Sequence, residues 1–86
     1  MESRTIIVSN KSGFHVRPAA RLSKFAEKCS SRVEIIYGDN IINAKSMMNI
    51  VSTAIPKGTQ IELRCSGEKE KEDMEYMLDA IKRIED

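Results

Sequence analysis

The segment from Gln60 to Cys65 constrains the fold of this chain more than any other. Ile61, Leu63 and Cys65 alternate with Gln60, Glu62 and Arg64. Period-two alternation puts the apolar residues on one face of a strand and the polar ones on the other. Such a strand belongs to a sheet that is covered on one side and open to water on the other.

Thr5-Ile6-Ile7-Val8 is β-branched throughout and reads as a first strand. Asn10-Lys11-Ser12-Gly13 breaks it with turn-forming residues. Val16 to Lys28 reads as a helix. Ala19, Leu22, Ala26 and Cys29 recur at helical spacing with Phe25 beside them, and Arg21, Lys24, Glu27 and Lys28 form the wet face. Val33, Ile35 and Tyr37 mark a second strand, Gly38-Asp39-Asn40 a tight turn, and Ile41 to Asn43 a returning third strand. Met47 to Ser52 reads as a short helix with Ser46 as its N-cap. After the Pro56-Lys57-Gly58 loop and the fourth strand, a last helix begins near Glu68 to Lys71. Its apolar stripe is Met74, Met77, Leu78, Ile81 and Ile84. The order is β-α-β-β-α-β-α: an α+β domain over residues 1–86, with a four-stranded sheet covered by helices on one face. Local pattern alone does not give the order of the strands within the sheet.

His15, the only histidine, lies at or just before the start of the first helix, with Pro18 in the first turn, where a helix tolerates proline. Unsatisfied amides point outward there and the helix dipole favours negative charge. Arg17 adds a guanidinium suited to phosphate. A histidine ring nitrogen carries a lone pair that can attack phosphorus. A lone histidine at a helix start also fits a cap or a surface residue. The combination of imidazole, amides and arginine fits a histidine that accepts a phosphoryl group.

Gly13-Phe14-His15-Val16-Arg17-Pro18-Ala19-Ala20 resembles the active-centre motif of the HPr family, the histidine phosphocarriers of the bacterial sugar phosphotransferase system. Asn43-Ala44-Lys45-Ser46-Met47-Met48 resembles the regulatory-serine region of the same family in its Gram-positive type. The resemblance spans essentially the whole chain. It implies an open-faced antiparallel sandwich with the two long helices on one side. It also implies that His15 is phosphorylated on Nδ1 by phosphorylated enzyme I, that Arg17 assists, and that sugar-specific IIA proteins or domains take the group onward. Phe14 and Val16 stand where relatives often have Leu and Ala, and both remain apolar.

The same resemblance implies that Ser46 is phosphorylated by an ATP-dependent HPr kinase/phosphorylase. The modified protein would be a poorer acceptor at His15 and a corepressor for a catabolite control protein. A helix cap and a phosphorylation site are compatible roles, because a phosphate is favoured at a helix N-terminus. Lys45 is expected to add positive charge beside Ser46. Met47, Met48 and Ile50, with Arg21 and Lys24, are the candidate docking residues, methionine being adaptable enough to fit partners in turn. Asn49 and Val51 stand where the family more often has Gly and Met.

Charge is nearly balanced at net +1, unlike the basic excess of a dedicated nucleic-acid binder. An RNA-binding α/β domain has a related element order, but it needs strand aromatics for base stacking, and the strands here offer Tyr37 and little else. No apolar run is long enough to span a membrane. The N-terminus shows no signal-peptide pattern, so a cytosolic protein is expected. Cys29 and Cys65 read as reduced, partly buried thiols without metal-ligand spacing. No carboxylate or second histidine beside His15 points to independent hydrolysis. The expectation is a monomeric carrier without cofactor or metal, not an enzyme. The alternative is a regulatory-only relative acting through Ser46; such relatives typically lack the histidine.

Overall fold

A computed structural model describes residues 1–11 and 13–84. Ser12, part of the expected turn, lies outside the described residues. The elements are β1 (Glu2–Ile7), α1 (Val16–Glu27), β2 (Arg32–Tyr37), β3 (Asn40–Asn43), α2 (Met47–Thr53), β4 (Gln60–Ser66) and α3 (Glu70–Arg83). The expected order holds.

The four strands form one sheet in the order β1-β4-β2-β3, with every neighbouring pair antiparallel. β1 and β2 are therefore parallel to each other, with β4 between them, and α1 supplies the crossover that parallel strands require. α2 does the same between β3 and β4. The two crossovers interleave, and this places the start of α1 and the end of α2 at the same end of the sheet.

Ile61, Leu63 and Cys65 are buried while Glu62 and Arg64 are half-buried on the open face. There the Arg64 guanidinium donates to Glu62 at 2.7 Å. The hairpin turns through Gly38 and Asp39, with Gly38 at φ 59, the positive value that the first position of such a turn requires. On the open face Ile36 pairs directly with Ile41, which stays exposed.

β1 starts at Glu2, three residues earlier than the β-branched run suggests. Its register with β4 carries Glu2 opposite Cys65 and Ser3 opposite Arg64. Backbone pairing recruits these residues whatever their side chains. Val8 falls just outside the strand and pairs with the loop instead: its N–H donates to Thr59 O at 2.9 Å and its carbonyl accepts from Gly58 at 2.8 Å.

The core lies between the sheet and the helices. Ala19, Leu22 and Ala26 of α1, Ile50 of α2, and Met74 and Met77 of α3 meet Val33, Ile35, Ile42, Leu63 and Cys65 of the sheet. Leu78 and Ile81 pack at its margin, and Phe25 meets Tyr76 edge-on with centroids 6.0 Å apart. α3 opens with Glu70, Glu72 and Asp73 and closes with Lys82 and Arg83, matching the helix dipole at both ends.

Candidate functional site

His15 is the N-cap of α1, with extended backbone (φ −80, ψ −168), and its side chain is exposed. Its carbonyl accepts the Ala19 N–H at 2.9 Å, the first bond of the helix. The N–H groups of Val16 and Arg17 precede that bond and have no acceptor within the helix, and Pro18 has no N–H. Arg17, two residues after His15, is exposed, and Pro18 is buried in the first turn.

The approach to His15 is tightly specified. Gly13 has φ +71, and a Cβ there would lie 2.1 Å from the carbonyl oxygen of Ile55. The next residue, Phe14, donates its N–H to that same oxygen at 3.0 Å and buries its ring in the core. Burial of such a ring contributes roughly 2–3 kcal/mol. Phe14 inside and His15 outside thus follow from a single loop held against the residues after α2.

Those residues form part of the surroundings of His15. An open groove of ≈ 300 Å³ is lined by Phe14, His15, Val16, Val51, Ala54, Ile55 and Pro56. Val16 is exposed and apolar at its rim. The contribution of Ala54, Ile55 and Pro56 is absent from the sequence-based expectation. The pairing of an isolated apolar residue with Pro56 directly after α2 was the available signal. Ala54 ends α2 in the left-handed conformation (φ 52, ψ 51), which disfavours a residue carrying a Cβ by about 1–2 kcal/mol. Ala54→Gly should therefore raise stability by about 0.5–1 kcal/mol in chemical denaturation, after allowance for the greater freedom of glycine in the unfolded chain.

Ser46 caps α2 as expected: its Oγ accepts the Asn49 N–H at 3.2 Å. It stands at the far end of α2 from the groove, about 10 Å away by the rise of a seven-residue helix. Met48, exposed, and Val51, at the groove, lie three residues apart on one face of α2 and bridge the interval. Met47 packs half-buried against the core. Ile50 is wholly buried, which corrects its assignment as a docking residue: it supports the surface from beneath. The Lys45 ammonium donates to the carbonyl of Cys29 at 2.9 Å, so it ties the residues just after α1 to the β3–α2 corner. Arg21 and Lys24 are exposed on α1, and the Arg21 guanidinium reaches the carbonyl of Arg83 at 3.3 Å, toward α3.

Asn49 has a structural role that sequence reading did not find. Its Oδ1 accepts the Asn43 N–H at 2.7 Å. The carbonyl of Asn49 accepts from Ser52 and Thr53. Burial first, and Asp73 next, push the Cys29 thiol up to about 11; burial and then Cys29 do the same for Cys65. Such thiols are inert at neutral pH. Among the described residues no group of three or more His, Cys, Asp or Glu side chains is placed to hold a metal ion. No described helix is long and apolar enough to cross a membrane.

Residues 2–83 match the family model described as the PTS HPr component phosphorylation site. The chain is 37% identical over 83 residues to the phosphocarrier protein HPr of Mycoplasma capricolum, covering 96% of this chain and 89% of that protein. The chain belongs to the HPr family. Its general role is accordingly that of a phosphocarrier of the phosphotransferase system, as the family-based reading implied. Among solved structures, HPr of Thermoanaerobacter tengcongensis superposes with a TM-score of 0.89 at 34% identity, covering 98% of this chain and 94% of that one. Crh of Bacillus subtilis, described as a catabolite repression protein forming a domain-swapped dimer, superposes with a TM-score of 0.75 at 31% identity, covering 96% and 95%. The HPr architecture expected from the two motifs, an open four-stranded antiparallel sheet with helices on one face, is the one observed.

Proposed function

We propose that His15 is the phosphoryl acceptor, that phosphorylated enzyme I is the donor, and that sugar-specific IIA proteins or domains are the acceptors. The observation that carries this reading is the exposed imidazole at the N-cap of α1, beside amides that have no acceptor in the helix. In the forward step a ring nitrogen, Nδ1 by family resemblance, attacks phosphorus. A nitrogen–phosphorus bond forms on His15 as the bond to the donor breaks. The phosphoryl oxygens then lie against the helix amides and within reach of the Arg17 guanidinium, where negative charge is stabilised. Exposure of the site serves the reverse requirement, because the group must leave again for IIA. The chain is a stoichiometric carrier in this scheme, cytosolic and monomeric, and the groove beside His15 is where partners seat.

Ser46 is the proposed regulatory site, modified by an ATP-dependent HPr kinase/phosphorylase and read by a catabolite control protein. The cap geometry supports this, since the hydroxyl already faces an amide of α2. The Met48–Val51 face gives a physical route for antagonism: a partner covering His15 and this ridge would meet the added charge.

The test is a coupled transfer assay. A small amount of the protein, given phosphoenolpyruvate and enzyme I, should phosphorylate many equivalents of a IIA protein. A IIA protein left unphosphorylated, while a known HPr supports the same reaction, contradicts the carrier reading.

A further inference from the structure

Among the described residues the buried polar side chains are Asn10, Ser23 and Ser31, and Asn10 is the one carboxamide. Ser23 donates within its own helix, to Ala20 at 2.9 Å. Asn10 is different in kind. Its Nδ2 donates to the carbonyl of Ile84 at 2.9 Å, across 74 positions of sequence. That carbonyl belongs to the C-cap of α3, beyond the last helical turn, where the helix offers it no amide. At 1% exposure Asn10 loses its hydration, a cost that only a hydrogen bond offsets.

We infer that Asn10 is a positioning residue for His15, its carboxamide fastening the segment that leads into His15 to the end of α3. The inference rests on the reading of His15 as the phosphoryl acceptor. The segment is held at successive points. Val8 is paired to the loop before β4 at its start, and Phe14 is held by Ile55 and the core at its end. Between them the Asn10 carbonyl accepts the Gly13 N–H at 3.1 Å. Asn10 thus holds Gly13 through its backbone and the end of α3 through its side chain. Arg21 reaches the neighbouring carbonyl, Arg83, from α1, the helix that His15 caps. The end of α3 is therefore tied both to the segment before His15 and to the helix after it. Gly13 is bonded to the Asn10 carbonyl and stands two residues before His15, so a displacement of Asn10 is carried along the backbone toward His15.

The experiment compares Asn10→Ala and Asn10→Ser with Val33→Ala, a core substitution on β2. Two quantities are read: the initial rate of phosphoryl uptake from phosphorylated enzyme I, and the NMR resonances of the His15 ring in the unphosphorylated protein. Both Asn10 variants should lose roughly tenfold in rate, as expected for a misplaced reacting group, with shifted ring resonances. Val33→Ala should lose stability and change neither. Should alanine fail to fold, the serine variant, which keeps a small polar group, carries the comparison. Folded Asn10 variants with wild-type rate and wild-type ring resonances would overturn the inference. A wild-type protein that takes up no phosphoryl group would overturn the reading of His15 instead, and unshifted ring resonances in the Asn10 variants would still count against Asn10.

Discussion

Gly13→Ala should destabilise the protein by about 3 kcal/mol or more, the sum of a left-handed backbone penalty and a forced displacement of packed atoms. Both terms come from one position. The φ of +71 disfavours any L side chain, and the new methyl would collide with the Ile55 oxygen and with the Pro56 backbone. These are main-chain atoms, so no rotamer change relieves the contact. The loop has to move away from Ile55, which breaks the Phe14 N–H bond to that oxygen and loosens the Phe14 ring from the core. Against a total stability of roughly 5–15 kcal/mol for a domain, such a loss is large. Chemical denaturation measures it directly. A Gly13→Ala protein within 1 kcal/mol of wild type would mean that the loop does not approach Ile55 as described.

His15→Ala should behave in the opposite way, with stability nearly unchanged and phosphoryl uptake abolished. The imidazole is exposed, and surface substitutions of this kind usually stay within about 0.5 kcal/mol. The chemistry has no substitute, because the chain contains no other histidine. Arg17→Ala should keep the acceptor and slow transfer by about tenfold to a hundredfold, the scale for losing one charged contact to a developing phosphoryl charge. Arg17→Lys should recover part of that loss, retaining charge but not the planar fork. Stopped-time transfer assays with thermal melts on the same samples separate the two effects. An Arg17→Ala protein with wild-type rates would remove Arg17 from the phosphate.

Much of this architecture is legible in the sequence because it depends on local pattern. The alternation of Gln60 to Cys65, the Gly38-Asp39 turn and the Ser46 cap each settle a local geometry before any packing occurs. The strand order β1-β4-β2-β3 does not, since it depends on pairings between distant segments. The polar start of β1 is not legible for the same reason: β4 recruits Glu2 and Ser3 through the backbone. The burial of Ile50 was hidden because a seven-residue helix has too few turns for its periodicity to identify the inner face. At the site, the position of His15 at the start of α1 is legible from Pro18 in the first turn of the helix and the motif around it. The groove contributed by Ala54 to Pro56, and the bonds of Asn10 to Ile84 and Lys45 to Cys29, are tertiary. A buried asparagine and a turn asparagine are written with the same letter.

The most direct test of the account is to locate the phosphoryl group on the wild-type protein after incubation with phosphoenolpyruvate and enzyme I. Intact mass should show one added phosphoryl group, labile in acid and stable in alkali, and phosphorus–nitrogen coupling in NMR should place it on Nδ1 of the His15 ring. An unmodified protein beside an enzyme I that phosphorylates a known HPr, or an acid-stable phosphate on oxygen at Ser46 as the sole product, would contradict it.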